Sequence, residues 1–140
     1  MTESTVELFD QREKRISDAI ALRVPDRVPI LVFFGFFPAR YAGMTVQDVM
    51  YDPEKIWQAQ TKALFDFQPD GDQNPYLLRY LGPILETLDF KQLMWPGHGL
   101  TSDHTYQFVE GEYMKAEEYD AFLSDPTDFI IRRYWPRVCG

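Results

Sequence analysis

One stretch of the chain is apolar almost without interruption, from Val28 to Phe34. A run of this length without alternation predicts a strand that is covered on both faces, as strands of parallel sheets are. A loop that contains Gly35, Pro38 and Arg40 follows it directly. Because the ligand sites of α/β proteins lie beyond the carboxyl ends of their strands, we expect this loop to border a ligand.

Apolar residues at helical spacing predict helices on both sides of this strand. The first helix spans about residues 6–23, with Thr5 as its N-cap and Pro25 after its end. A second long helix begins at Asp52-Pro53-Glu54 and extends to about Phe67. In this start the aspartate caps the helix, the proline takes the first helical position, and the glutamate lies at the positive end of the helix dipole.

The remaining elements follow from shorter patterns. Residues 68–76 are rich in turn formers, so a second strand at this position is expected to be short. The other predicted elements are a helical turn at 46–50, helices at 76–81, 83–88, 116–123 and 125–134, a third strand at 90–95, and an extended arm or hairpin at 106–114. Strands that alternate with helices predict parallel βαβ units, and therefore an α/β class. We expect one domain, with an N-terminal helix at 1–24 and the βα units at 25–140.

The composition of the 140-residue chain limits its partners and its compartment. A net charge of −8 disfavours nucleic acid and anionic membranes as general partners. The one cysteine, Cys139, permits no disulfide within the chain, and the polar N-terminus is no signal peptide, so we expect a cytoplasmic protein. The same count excludes a thiolate-rich zinc site, and His98 and His104, in a glycine-rich loop, are expected to be solvated side chains that bind no metal.

Several short motifs occur in order along the chain. The first are Arg15 and Ala19 of the first helix, Pro25-Asp26-Arg27-Val28-Pro29-Ile30, Arg40-Tyr41 and Asp52-Pro53, and they resemble the start of the uroporphyrinogen decarboxylase family. Its superfamily also contains zinc-dependent methyltransferases that act on corrinoids and thiols. A less studied branch of the same superfamily is resembled by the later motifs Glu110-Gly111-Glu112-Tyr113, Glu118-Tyr119 and Asp125-Pro126. The resemblance implies the N-terminal part of a (β/α)8 TIM barrel. Such barrels need roughly 200 residues or more, so we expect this chain to be a piece of a longer parent.

The resemblance also implies a set of site residues. In the decarboxylases, an Arg-x-x-x-Arg-Tyr pattern after the first strand binds the carboxylates of the substrate. Arg40 and Tyr41 match its second half, and Phe36 stands where the first arginine would be. Asp72 falls near the position of the essential aspartate, which stabilises positive charge on the substrate, although Asp70-Gly71-Asp72 is also typical of a plain turn. Arg40, Tyr41 and Phe36 are thus the expected substrate-binding residues, and Asp72 the expected catalytic one.

Four phenylalanines surround Gly35, at positions 33, 34, 36 and 37. Their spacing is typical of a core that continues into a barrel mouth. The alternative is an aromatic wall that lies beside a flat macrocycle. Of the two, the residues favour the core and barrel mouth.

The resemblance leaves three functions open. The first is a lyase that decarboxylates the acetate side chains of a tetrapyrrole in porphyrin biosynthesis without a cofactor. The second is zinc-dependent methyl transfer with a corrinoid (cobalamin) partner, in which the zinc ligands would come from later barrel strands, so that this chain itself holds no cofactor. The third is a catalytically incomplete barrel segment. A homodimer is compatible with each of them.

Overall fold

The computed structural model describes residues 4–72 and 80–140. The helices are α1 (Thr5–Ile20), α2 (Phe37–Tyr41), α3 (Val46–Tyr51), α4 (Pro53–Phe67), α5 (Gly82–Thr87), α6 (Tyr119–Ser124), α7 (Pro126–Phe129) and α8 (Trp135–Val138). The strands are β1 (Leu31–Val32), β2 (Gly71–Asp72), β3 (Leu93–Pro96), β4 (Gly99–Leu100) and β5 (Gln107–Phe108). This mixture of helix and strand agrees with the coarse α/β prediction. The helical piece predicted at 76–81 lies mostly outside the described residues.

The first two strands are parallel, as predicted, but they are much shorter than the apolar run suggested. Leu31 lies opposite Gly71, and Val32 lies opposite Asp72. The predicted strand from Val28 to Phe34 is wrong in length because β2 offers only two residues to pair with. It is also wrong in burial, since the side chains of Val28 and Phe33 are 80% and 70% exposed.

Local capping chemistry explains where the helices begin. Helix α1 is capped by Ser4 rather than by the predicted Thr5, because only Ser4 has a glutamate three residues later. Glu7 N donates to Ser4 Oγ at 3.2 Å, and Ser4 N donates to Glu7 Oε2 at 2.8 Å. The helix ends at Ile20, before the predicted residue 23, and Leu22 then adopts a left-handed φ of 57°.

The predictions for α3 and α4 are confirmed. Thr45 and Asp48 form a reciprocal capping box at the start of α3. At the start of α4, Asp52 Oδ1 accepts from Glu54 N at 2.9 Å and from Lys55 N at 3.2 Å. Both helices begin with side-chain oxygens that satisfy backbone donors left free by the first turn.

The predicted third strand forms part of a separate sheet. Strand β3 begins at Leu93 rather than Phe90, and it lies between β4, to which it is parallel, and β5, to which it is antiparallel. Gly97 and Gly99 have φ of +88° and +89°, and they allow the tight loop that brings β4 beside β3. The arm predicted at 106–114 contributes β5, so these strands do not extend the β1–β2 pair as further parallel βαβ units.

Two apolar clusters form the core beneath the loop that follows β1. One contains Ala39, Val49, Ile56 and Ala59, and the other contains Val46, Met50, Leu85 and Trp95. Helices α2, α3, α4 and α5 therefore pack against one another and against β3. Among the described residues, no helix combines the length and the apolar character needed to cross a bilayer.

Candidate functional site

A buried carboxylate lies immediately before β2. The side chain of Asp70 is 0% exposed, and its two oxygens accept four hydrogen bonds. Arg27 donates through Nη1 and Nη2, each at 2.7 Å, Arg15 donates through Nη1 at 2.5 Å, and Ile30 N donates at 2.7 Å. Burial alone would raise the pKa of Asp70, but these hydrogen bonds outweigh it and hold the pKa below its ordinary value.

Arg15 also binds a second carboxylate, that of Asp26. Arg15 Nε and Nη2 donate to the two oxygens of Asp26 at 2.7 and 2.6 Å, and this bidentate pair lowers the pKa of Asp26 to about 2. We call Arg15, Asp26, Arg27 and Asp70 the arginine–aspartate cluster. It ties α1 to the segment before β1 and to the start of β2. Because its carboxylates are already occupied by arginines, we assign it a structural role.

Asp72, the predicted catalytic residue, lies at the carboxyl end of β2. Because β1 and β2 are parallel, both strands end at the same edge, and Asp72 lies opposite Val32 there. Its carboxylate accepts a short hydrogen bond from the amide of Gln60, a buried residue of α4. The structure therefore brings Asp72 to the edge where α/β proteins bind ligands.

Arg40 and Tyr41 are adjacent in α2 but make contacts in different directions. Arg40 Nη2 donates to the carbonyl oxygen of Asp103 at 2.7 Å. Tyr41 Oη donates to Asp66 Oδ2, near the end of α4, at 3.0 Å, and this hydrogen bond raises the pKa of Tyr41. Lys62 Nζ lies 4.9 Å from the centre of the Tyr41 ring. The predicted carboxylate clamp is thus occupied by protein groups in this structure.

Phe36, the third predicted substrate-binding residue, packs against both core clusters. Its ring also meets Tyr106 edge-to-face, with 6.2 Å between the ring centres. These contacts place its side chain between the core and the β5 arm. Binding of substrate by Phe36 stays a prediction.

An aromatic patch lies beside the end of β1. Its members are Phe34, Phe37, Tyr41 and Phe67, whose ring centres lie 5.1 to 6.1 Å apart in five contacting pairs. Phe37 and Phe67 are exposed, so the patch presents aromatic surface to solvent. Sequence reasoning considered the phenylalanines near Gly35 but missed Phe67, because it is 30 or more positions away at the end of α4.

The two histidines are exposed, as predicted, yet both are hydrogen bonded. His98 Nε2 lies 2.7 Å from Glu86 Oε1, which also accepts from Tyr51 Oη at 2.8 Å. The His98 ring stacks on Trp95 with 4.4 Å between the ring centres. His104 Nδ1 lies 2.7 Å from Thr101 Oγ1.

In the part of the chain that the structure describes, no group of three or more histidine, cysteine, aspartate or glutamate side chains is arranged to hold a metal ion. Three comparisons with known proteins were negative: no family model matches the chain, and no curated protein or solved structure is significantly similar to it. The edge of the β1–β2 pair, with Asp72 and the aromatic patch beside it, is the candidate functional site.

Proposed function

We propose that this chain forms the first βα units of a uroporphyrinogen decarboxylase-like (β/α)8 barrel that acts on a tetrapyrrole. The family reaction is the cofactor-free decarboxylation of acetate side chains. The observation that carries the proposal is the parallel pairing of β1 with β2, with α2, α3 and α4 between them in the chain. Asp72 lies at the carboxyl end of this pair, where such barrels carry their chemistry.

The exposed apolar residues around β1 support the barrel part of the proposal. Val28, Ile30, Leu31 and Phe33 are all exposed, although strands of parallel sheets are normally covered on both faces. A ladder of two residue pairs also leaves open strand edges. Further βα units would cover both the faces and the edges.

The chemistry of the edge suits a flat, carboxylated macrocycle. The aromatic patch offers ring faces for stacking, and the Asp72 carboxylate can accept from pyrrole N–H groups while stabilising positive charge. Arg40 would have to exchange the neutral carbonyl of Asp103 for a substrate carboxylate. A carboxylate would add an opposite charge and a second acceptor oxygen, so the guanidinium could bind it in a bidentate ion pair.

The first experiment tests whether the aromatic patch binds uroporphyrin. The protein is titrated with uroporphyrin, and the absorption band of the porphyrin reports binding. We expect a saturable spectral shift that Phe37→Ala and Arg40→Gln weaken. The matched controls are Leu123→Ala and Arg132→Gln, which alter exposed residues of the C-terminal helices. If none of the four variants changes the spectral shift, uroporphyrin does not bind at this edge.

Turnover tests the reaction itself. The full-length parent protein that contains this chain is incubated with uroporphyrinogen, and coproporphyrinogen is measured by chromatography. We expect Asp72→Asn to lower the rate more than it weakens binding, while Asp120→Asn, an exposed aspartate of α6, leaves both unchanged. Decarboxylation is ruled out if the protein neither binds uroporphyrin nor forms coproporphyrinogen.

A second candidate is methyl transfer with zinc and a corrinoid partner. It is favoured by Phe36, which occupies the position of the first arginine of the Arg-x-x-x-Arg-Tyr pattern. The side chain of Phe36 packs into the core instead. A pocket with one arginine suits a substrate with fewer carboxylates. Titration with hydroxocobalamin, in competition with uroporphyrin, distinguishes the two candidates by which ligand displaces the other.

The third candidate is a barrel segment without activity of its own. It is favoured by the exposed apolar surface around β1, because further βα units would be needed to cover this surface. Sedimentation and urea denaturation of the chain test this candidate. A monomer that unfolds in one cooperative transition with several kcal/mol of stability would contradict the proposed incompleteness.

A further inference from the structure

A cavity of 740 Å³ lies between the segment that follows α5 and the last helical stretch of the chain. Phe90 and Trp135 contribute aromatic surface to its lining, and Leu88, Ile131 and Val138 contribute aliphatic surface. Small-molecule sites in proteins have volumes of roughly 300–1,000 Å³ and mostly apolar walls. The size and the lining of this cavity therefore fit a small molecule. Neither Asp72 nor the aromatic patch contributes to it.

Backbone hydrogen bonds hold the two walls of the cavity together. Lys91 N donates to the carbonyl oxygen of Val138 at 2.8 Å, and Gly140 N donates to that of Leu88 at 3.0 Å. The walls cannot separate without breaking these bonds. The cavity is thus formed before any ligand arrives, which reduces the entropic cost of binding.

A π-helical turn supplies part of the lining, and it is a second, independent sign of function. The turn spans Ile130–Tyr134, between α7 and α8, and it contributes Ile131 and Tyr134 to the cavity. Turns of this kind are rare and occur frequently at functional sites. Tyr134, at the end of this turn, also makes a polar contact with Gln92 on the facing wall of the cavity. Gln92 Nε2 donates to Tyr134 Oη at 2.8 Å, and Tyr134 Oη lies 3.2 Å from Gln92 Oε1.

The polar groups of the lining define the ligand that it would accept. No side chain of the lining is charged, and burying a charge among uncharged side chains is costly, so the lining favours an uncharged ligand. A primary amide has two donor hydrogens and a carbonyl with two lone pairs, so Gln92 keeps hydrogen-bonding capacity beyond its contact with Tyr134. We infer that this cavity is a binding site for an uncharged, largely apolar small molecule that carries one hydrogen-bonding group for the Gln92–Tyr134 pair.

Binding of N-phenyl-1-naphthylamine to the full chain tests the inference. This probe is uncharged and apolar, carries one N–H, and fluoresces when it leaves water. We expect saturable binding that Ile131→Trp weakens about tenfold or more by filling the cavity. Ile131 is 51% exposed, so the larger side chain is compatible with the fold. The control is Leu123→Trp, at a residue of α6 that is 71% exposed and outside the lining, and it should bind like the natural sequence.

Cys139 provides a local reporter, because it is the one cysteine of the chain and it lines the cavity. We expect bound probe to slow its reaction with N-ethylmaleimide several-fold. Gln92→Leu should weaken binding of the amine probe but not of 1-benzylnaphthalene, which replaces the N–H by a methylene group. This second variant keeps the test decisive if circular dichroism shows that Ile131→Trp is unfolded. Probe binding that is unaffected by both cavity variants and does not protect Cys139 would overturn the inference, because the probe would then occupy other apolar surface.

Discussion

The β1–β2 pair and the helical core beside it are held in place by different forces. The pair has two residue pairs in its ladder and exposed apolar side chains, and it is positioned by the arginine–aspartate cluster. The core is built from α2 to α5 and β3, and buried aliphatic side chains hold it together. The candidate functional edge therefore depends on a few charged contacts, whereas the helices behind it depend on apolar burial.

The largest expected effect comes from breaking the arginine–aspartate cluster. Asp70→Asn removes one of the two carboxylates that pair with buried Arg15, and losing one partner of a buried ion pair costs about 3–5 kcal/mol. The free energy of unfolding, measured in urea, gives the loss. The control, Asp128→Asn, breaks an exposed ion pair with Arg132 and should cost less than about 0.5 kcal/mol. If both variants lost the same free energy of unfolding, the arginine–aspartate cluster would contribute no more to stability than an exposed ion pair.

A slightly smaller effect is expected from the apolar core. Ile56 is 1% exposed, and Ile56→Ala should lower the free energy of unfolding by about 2–4 kcal/mol, because it removes buried methyl groups and leaves a void. Val24→Ala, at a residue that is 95% exposed, serves as the control and should change it very little. If the two substitutions cost the same, the core is not packed as described.

The smallest expected effect is a pH dependence of stability. The pKa of Asp26 is about 2 in the folded chain and about 3.9 in an unfolded one. Its contribution is therefore fully present above about pH 4 and is lost as the pH falls through 2. Urea midpoints measured between pH 5 and pH 2 should decline, and the decline should be shallower in Asp26→Asn.

Other carboxylates of the described residues also have lowered pKa values, among them Asp48, Asp70 and Glu118, and their contributions must be separated from that of Asp26. The pKa of Asp48, held low by Lys55, and that of Glu118, held low by Arg137, are each about 2. Asp48→Asn therefore reports the helical core in the same experiment, and Asp120→Asn serves as the surface control. A decline that Asp26→Asn leaves as steep as before would mean that Asp26 does not contribute to acid sensitivity.

The parts of the fold that the sequence predicted are those whose chemistry is local. Helix α4 follows from Asp52-Pro53-Glu54 because the capping atoms lie within three residues of the donors that they satisfy. The length of β1 was not predictable in this way. Its ladder is set by Gly71 and Asp72, which are 40 positions from their partners.

In the candidate site too, residues with local signals were predicted and residues with distant partners were not. Asp72 was expected at a strand end, and it lies at one. Asp70 had only the local appearance of a turn residue, because its partners Arg15 and Arg27 are 55 and 43 positions away. The cavity was missed for the same reason, since Gln92 meets Tyr134 across 42 positions.

The arginine–aspartate cluster has a consequence for how this chain can evolve. Its four members come from three separate stretches, and each arginine donates through a planar fork that lysine cannot reproduce. A substitution at one member therefore cannot be repaired by a neighbour in the chain. Descendants that keep this arrangement would inherit the four residues as a set, and those that lose one would have to rebuild the whole junction with apolar side chains.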